Sequence, residues 1–196
     1  MKIYFDMDDV LVGLSAYMIK RANETFHTTI DWEKLDNQNF RVLEGEIIPN
    51  GWFQNELNKK GAFKFPKPIQ NSVELFQLAY TNLTSQGNEV YIATTPQFND
   101  WCCREKINWI KQYMPFFPVE NIIFIQNKSL LANDQSLLID DYCKNINKFM
   151  SKGGCTVFFN SKSLPNENTC TEVKNWDELY KYLEDVFRFN NGKEEV

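Results

Sequence analysis

The chain has a single histidine, His27, and this scarcity narrows the chemistry that the protein can perform. A zinc site built from several histidines is excluded. A Ser-His-Asp relay would depend on His27, which lies in a polar helical stretch with no nucleophile nearby. We therefore interpret His27 as a surface residue. We expect any catalysis to use carboxylates, lysine, hydroxyl groups and a metal ion.

Paired cysteines, long apolar runs and excess positive charge are also lacking. The five cysteines are odd in number and contain no CxxC pair, so the sequence predicts reduced thiols rather than a zinc ribbon or a disulfide framework. No apolar run approaches the ~18 residues of a membrane span, and no signal-peptide pattern is visible. The formal net charge of −5 argues against an extended nucleic-acid surface. We expect a cytoplasmic protein without membrane association.

Apolar and aromatic residues are plentiful, at 43% and 15% of the 196 residues, which is enough for the core of one domain. Strand-like and helix-like patterns alternate, and such alternation is typical of a parallel sheet covered on both faces. We interpret the segment from about 14 to 66 as an insertion of small helices. Strands are predicted at 2–5, 89–93, 122–125, 136–139 and 155–159, and helices at 15–25, 71–86, 100–114 and 175–186.

Acidic, hydroxyl and basic side chains follow four of these strands where each strand ends. Because the carboxyl ends of parallel strands meet at one edge of a sheet, we expect the side chains to converge there. In an extended chain Asp6 and Asp8 would point to the same side, and Asp9 would point away. Each group alone has an ordinary explanation, such as an Asp-rich turn or a solvated lysine. The strand-end groups are Asp6 and Asp8, Thr94 and Thr95, Lys128, and Asp140 and Asp141.

Two pairs of carboxylates in this set predict a metal site. Asp6 with Asp8, and Asp140 with Asp141, would repel each other unless a cation neutralised them. A hard divalent ion with oxygen ligands is the natural choice, most simply Mg²⁺. Such an ion would also hold a phosphate oxygen.

The remaining strand-end groups predict a phosphate site beside the metal. Thr94 and Thr95 offer hydroxyl groups, and Lys128 adds a positive charge for both the phosphoryl group and the Asp6 carboxylate. Asp6 then becomes a plausible nucleophile that forms an aspartyl-phosphate. Asp8 can donate a proton to the leaving oxygen and later accept one from the attacking water.

The order DMDDVL, a threonine at a strand end, a lysine and LIDDY resembles the haloacid dehalogenase (HAD) superfamily of phosphohydrolases, over about 1–13 and 67–160. Within it the chain looks most like the 5′(3′)-deoxyribonucleotidases, through TTP at 94–96, Glu105-Lys106 with Trp109, and Asn145. The resemblance implies an α/β, HAD-like (Rossmann-like) parallel sheet with helices on both faces. It places a core domain at 1–13 and 67–196 and a small helical cap at 14–66.

The resemblance also assigns roles to individual residues. Asp6 is implied as the nucleophile and Asp8 as the acid and base. Mg²⁺ is implied on Asp6, the backbone carbonyl of Asp8 and Asp140, with Asp141 in support. Phosphate binding is implied for Thr94, Thr95 and Lys128.

Three positions depart from the usual pattern of that family. Asp9 stands where the family usually has glycine, Thr95 where it often has serine, and Tyr142 where it often has arginine. These departures leave the nucleotide preference open.

Two aromatic residues of the insertion, Trp52 and Phe53, fall where the family places aromatics against the nucleobase, and we expect them to bind substrate by stacking. The alternative is that they form the core of the cap. We interpret Lys106 as a surface helix lysine rather than a phosphate ligand, and Trp101 and Trp109 as packing residues.

These expectations combine into a predicted function. We expect a Mg²⁺-dependent phosphomonoesterase that hydrolyses a (deoxy)ribonucleoside monophosphate through an aspartyl-phosphate. A homodimer is one possible assembly. The alternatives are a HAD phosphatase for another small phosphate ester, such as a sugar phosphate, or for a nucleic-acid end, and a non-catalytic phosphate-binding protein.

Overall fold

The structure, a computed structural model, describes residues 1–35, 40–162 and 170–189. Six strands form one sheet in the order β3-β2-β1-β4-β5-β6, and each neighbouring pair runs parallel. This arrangement confirms the predicted α/β fold with a parallel sheet. The strands are β1 (Lys2–Phe5), β2 (Glu89–Thr94), β3 (Ile122–Phe124), β4 (Ser136–Asp140), β5 (Cys155–Phe159) and β6 (Thr171–Val173).

Within the described ranges, six α-helices and several short 3-10 helices connect or follow these strands. In the part of the chain that the structure describes, every helix is too short or too polar to cross a bilayer. The helices are α1 (Leu14–Phe26), α2 (Trp52–Leu57), α3 (Ser72–Ser85), α4 (Cys102–Tyr113), α5 (Cys143–Met150) and α6 (Trp176–Phe187), with 3-10 helices at Trp32–Lys34, Phe40–Leu43, Val119–Asn121 and Lys128–Leu131.

The central strand β1 is buried on both faces, which is why its sequence is almost wholly apolar. Ile3 and Phe5 belong to the larger core cluster, where the Phe5 ring lies 6.0 Å from that of Trp176 in α6. Tyr4 points to the opposite face and lies 6.3 Å from the ring of Phe149 in α5. Helices therefore cover both faces of the sheet, as predicted.

The segment between β1 and α3 packs around a second hydrophobic cluster, separate from the core of the sheet. Most of this cluster comes from α1, α2 and the residues that follow them, and Cys102 joins it from α4. The described residues between 14 and 66 form α1, α2 and two 3-10 helices, and their role as a cap stays a prediction. The buried members of the cluster are Leu14, Met18, Ile19, Ala22, Phe40, Leu43, Ile48, Phe53, Leu57, Ala62, Phe63 and Cys102.

Several elements differ from the sequence predictions. Helix α5 was not predicted because only Ile146 and Phe149 are buried in its eight residues, and β6 was not predicted because it has three residues, two of them exposed. Strand β3 was expected to be buried, but it lies at the edge of the sheet and is half-buried. A capping box was expected at Asn71, but this residue has a left-handed backbone (φ 60°), and its side chain contacts Asp177 instead of the helix.

Candidate active site

The strand ends that carry the predicted site residues meet at one edge of the sheet. Asp6 follows β1 directly, and β1 lies between β2, which ends at Thr94, and β4, which ends at Asp140. The strand order reverses at β1, and open parallel sheets bind ligands at such a point. Lys128 begins the 3-10 helix that follows β3.

Lys128 joins two of these strand ends. Its ammonium lies 2.7 Å from Asp6 Oδ1 and 2.6 Å from Asp140 Oδ2, and the side chain is 1% exposed. Burial by itself lowers the pKa of Lys128, but Asp140 and Asp6 outweigh burial and raise the pKa above its ordinary value. Lys128 therefore lies beside the Asp6 carboxylate, as predicted, and it stays charged.

Three carboxylates form a cluster beside this lysine. One oxygen from each of Asp6, Asp140 and Asp141 lies within 4.8 Å of the others. Burial raises the pKa of Asp140 to about 6, with Lys128 opposing and Asp6 adding to the shift. Burial raises the pKa of Asp141 well above its ordinary value, and the charge of Asp9 contributes. When ionised, three carboxylates beside one ammonium carry a net charge of −2, which matches a divalent cation.

The Asp140 carboxylate is fixed by hydrogen bonds from the residues that follow it. The Tyr142 N–H donates to Oδ1 at 2.9 Å, and the Asn145 side-chain amide donates to both oxygens, at 3.2 and 3.1 Å. The amide reaches back because α5 begins at Cys143 and places Asn145 in its first turn. This carboxylate is thus oriented by the protein before any ligand binds.

Lys106 corrects the sequence interpretation, because it is a fully buried residue and not a surface lysine. Its ammonium donates to Asp8 Oδ2 at 2.5 Å, to the Thr94 hydroxyl at 2.7 Å and to the Thr95 carbonyl at 3.1 Å. It also lies 5.0 Å from the centre of the Phe63 ring. Besides its place in the family resemblance, its spacing was a sequence signal, because Lys106 lies three residues before the buried Trp109 on the same helix.

Asp8 and Asp6 are held by different lysines. The Asp8 carboxylate contacts Lys106 and lies outside the cluster of three acids. The sequence analysis had predicted Asp8 as a metal ligand together with these three. Burial raises the pKa of Asp8, with Lys106 opposing and Asp6 adding to the shift. A raised pKa favours the protonated carboxyl that a general acid requires.

The chain does not stay extended through the acidic stretch. Asp9 has a left-handed backbone (φ 56°), and its carboxylate accepts hydrogen bonds from the Ser15 N–H at 2.9 Å and from the Ser15 hydroxyl. Burial raises the pKa of Asp9 to about 7, and the hydrogen bonds from Ser15 oppose this shift. Asp9 therefore joins residues 6–9, which we call the acidic loop, to the start of α1.

The two threonines at the end of β2 differ in their surroundings. Thr94 is fully buried and its hydroxyl accepts from Lys106, whereas Thr95 is half-buried and contributes its carbonyl to the same ammonium. Thr94 thus lies beside the Lys106–Asp8 pair, and Thr95 lies nearer to solvent. Their roles in phosphate binding stay predictions.

Trp52 and Phe53 pack inside the insertion. Phe53 has no exposed surface, and its ring lies 4.6 Å from Phe40 and 5.0 Å from Trp52. Trp52 is half-buried, with its ring 5.2 Å from Phe26. This packing favours the alternative in which both residues form the core of the cap, and it argues against base stacking by Phe53.

The burial of Phe53 leads to a testable prediction. Replacing Phe53 with alanine leaves a cavity in a small core, so we expect the free energy of unfolding to fall by about 3 kcal/mol. The ratio of kcat/KM values among nucleobases should not change. Chemical denaturation and substrate competition measure the two effects, with Phe98→Ala as control because Phe98 is 92% exposed. A changed base preference without loss of stability would return Phe53 to the substrate site.

Known proteins are similar to this chain in sequence and in architecture. Residues 1–188 match the family described as 5′ nucleotidase, deoxy (pyrimidine), cytosolic type C protein (NT5C). A 5′(3′)-deoxyribonucleotidase of Clostridium acetobutylicum is 31% identical over 188 residues, covering 94% of this chain and 95% of the relative. The enzyme of the same name from Bacillus subtilis is 32% identical over 95 residues, which span 48% of this chain and about half (52%) of that relative's length.

Solved structures confirm the fold. A HAD family hydrolase from Deinococcus radiodurans, with bound phosphate and sodium, superimposes with a TM-score of 0.59 at 13% identity, over 96% of this chain and 97% of the other. A HAD hydrolase from Bacillus subtilis bound to magnesium gives 0.57 at 16% identity, over 93% and 97%. With the match over residues 1–188, the chain belongs to the deoxyribonucleotidase-like NT5C family, and it shares its fold with HAD hydrolases.

Proposed function

We propose that this protein is a Mg²⁺-dependent phosphatase that hydrolyses the phosphate of a (deoxy)ribonucleoside monophosphate. The observation that carries the proposal is the convergence of Asp6, Asp140 and Lys128 at the edge of the sheet, with the Asp8–Lys106 pair beside them. The names of the relatives supply the substrate class.

Asp6 is the proposed nucleophile. Its Oδ1 is held by the Lys128 ammonium at 2.7 Å and the Met7 N–H at 2.7 Å. The carboxylate attacks phosphorus and the ester oxygen leaves, so that a phosphoryl group is carried on Asp6 until water removes it. Lys128, with Thr94 and Thr95, is proposed to bind the phosphate oxygens.

Asp8 is the proposed acid and base. The carboxyl group gives its proton to the departing ester oxygen and then takes a proton from the water that attacks the phosphorylated Asp6. Lys106 fixes the Asp8 side chain through a 2.5 Å contact to Oδ2. The Thr94 hydroxyl anchors the same ammonium, so the acid has a defined position before substrate binds.

The three clustered carboxylates fit a divalent cation. Asp6, Asp140 and Asp141 supply hard oxygen ligands within 4.8 Å of one another and more negative charge than Lys128 neutralises. The proposed set also includes the Asp8 backbone carbonyl. When bound, Mg²⁺ would neutralise these carboxylates and polarise a phosphoryl oxygen.

Residues 14–66 are proposed to act as a cap over this site. The Lys162 ammonium, from the loop after β5, donates to the backbone carbonyls of Trp32 and Leu35 and lies 3.8 Å from the centre of the Trp32 ring. The cap therefore contacts the core from the side of the metal cluster. A cap in this position excludes water from the phosphoryl transfer.

A panel of phosphate esters tests the proposal. With Mg²⁺, the protein should release phosphate from nucleoside monophosphates faster than from sugar phosphates or a phosphorylated oligonucleotide. Chelation should abolish release, because the carboxylates repel the phosphate without the cation, and added Mg²⁺ should restore it. Paired 5′ and 3′ isomers, in deoxy and ribo forms, define the preference. Absence of release from every nucleotide, or release that withstands chelation, would contradict the proposal.

A further inference from the structure

Glu105 is a buried carboxylate that the proposed chemistry does not use. It lies on α4 with 6% of its surface exposed. Its two oxygens accept the Gly61 N–H at 2.6 Å and the Phe63 N–H at 3.1 Å. Both N–H groups belong to residues 61–66, the last part of the proposed cap before the chain returns to the core. We call these residues the return segment.

Two further residues of α4 hold the same return segment. Lys106 lies 5.0 Å from the ring centre of Phe63, and the Trp109 indole donates to the Pro66 carbonyl at 2.8 Å. The contacts from Glu105, Lys106 and Trp109 thus fasten both ends of the return segment to one helix. Trp109 is itself buried in the core of the sheet, which fixes the helix to the core.

Phe63 connects Glu105 to the acidic loop. Glu105 holds the backbone of Phe63, and the ring of Phe63 lies over the ammonium that contacts Asp8. The ring keeps water from that ammonium, and a hydrogen bond to a charged group is stronger where water is excluded. Release of the Phe63 backbone would therefore let water reach Lys106 and would loosen Asp8.

We propose that Glu105 is a positioning residue, which couples the seating of the return segment to the placement of the Asp8 carboxyl through Phe63 and Lys106. The inference rests on the proposed function, because it assigns Asp8 the role of the acid. In the seated arrangement the Asp8 carboxyl is held by Lys106. When the return segment moves away, the acid is no longer held in position.

Glu105→Gln tests this coupling, because glutamine keeps the shape but replaces one of the two accepting oxygens with an NH2 group, which cannot accept from an N–H. The substrates are a nucleoside monophosphate, whose alkoxide leaving group needs a proton, and p-nitrophenyl phosphate, whose leaving group departs as a stable anion. We expect kcat/KM for the nucleotide to fall about tenfold and that for the aryl phosphate to fall less than about threefold. Hydrogen exchange at the Gly61 and Phe63 amides should become faster.

Glu56→Gln is the matched control. Glu56 is also a buried glutamate, with 6% of its surface exposed, but it pairs with Arg21 and Lys59 inside the proposed cap. We expect this variant to leave the ratio of the two kcat/KM values unchanged. Equal losses on both substrates in Glu105→Gln, or no loss on either, would overturn the inference.

A second variant tests the inference even if Glu105→Gln does not fold. Phe63→Leu keeps the backbone bonds to Glu105 but removes the ring over Lys106, so it should show the same selective loss on the nucleotide. An unchanged substrate ratio in Phe63→Leu would overturn the inference even if Glu105→Gln fails to fold. If the wild-type protein hydrolyses neither substrate, the proposed function itself fails, and this outcome is distinct from a failure of the coupling.

Discussion

Replacing Asp6 with asparagine is expected to reduce phosphate release by about 10⁴-fold or more, because the amide cannot attack phosphorus. The side chain keeps its size, and its carbonyl oxygen can still accept from Lys128 and the Met7 N–H. The substitution also removes one of three neighbouring negative charges that repel one another, so the free energy of unfolding should not decrease. Steady-state phosphate release and chemical denaturation measure the two quantities.

The same variant tests the covalent step directly. Acid quenching of the wild-type protein during turnover should trap a phosphorylated protein whose phosphoryl group maps to Asp6, and the asparagine variant should show none. Asp134→Asn serves as control, because Asp134 is exposed and lies just before β4. More than a tenth of the wild-type rate in the Asp6 variant would rule out Asp6 as the nucleophile.

Replacing Lys128 with methionine is expected to remove most activity and also to destabilise the protein. Methionine fills similar volume but leaves Asp6 and Asp140 without their shared ammonium. Breaking a buried ion pair from one side is costly, so we expect a loss of about 3 kcal/mol in metal-free buffer above neutral pH. Denaturation with and without Mg²⁺ measures it, and the ion should restore part of the loss because it supplies the missing positive charge.

The loss of stability in the Lys128 variant should depend on pH. The folded pKa of Asp140, about 6 with Lys128 present, already exceeds the unfolded value, and removal of the ammonium raises it further. The folded variant therefore binds more protons than the unfolded chain, so its stability rises as pH falls and its deficit shrinks toward about pH 5. Lys148→Met, at an exposed position of α5, should match wild type at every pH. A deficit independent of pH would indicate lost packing instead of unpaired charge.

The grouping of Asp6, Asp140 and Lys128 could be predicted from sequence because these residues follow strand ends. A parallel sheet brings its carboxyl ends together whatever the connecting segments do, so Asp6, Asp140 and Lys128 could be grouped without coordinates. Lys106 could not be placed this way. Its ammonium reaches the site from the middle of a helix, and one-dimensional spacing does not show which face of α4 meets the acidic loop.

Beyond α1 the insertion was less predictable, because its other helices are short and its aromatics serve its own packing. Trp52 and Phe53 were expected at the substrate, yet Phe53 lies in the second hydrophobic cluster. An aromatic residue in a small helical segment has the same sequence signature whether it stacks on a ligand or fills a core. Glu105 contributed to the family resemblance, but its hydrogen bonds could not be predicted, since its partners are backbone N–H groups, which nearly every residue type supplies.

The position of β1 in the sheet has a consequence for how the protein is made. Lys2 pairs with Glu89 on one side and with Ser136 on the other, so β1 is synthesised before both of its neighbours and gains the second of them only after residue 136. Pairings across such long sequence separations form slowly. A nascent or truncated polypeptide that ends before β4 thus carries the acidic loop without Asp140. On the proposed function, a chain that lacks β4 would lack one of the three clustered carboxylates, so hydrolytic competence would arise late in biosynthesis.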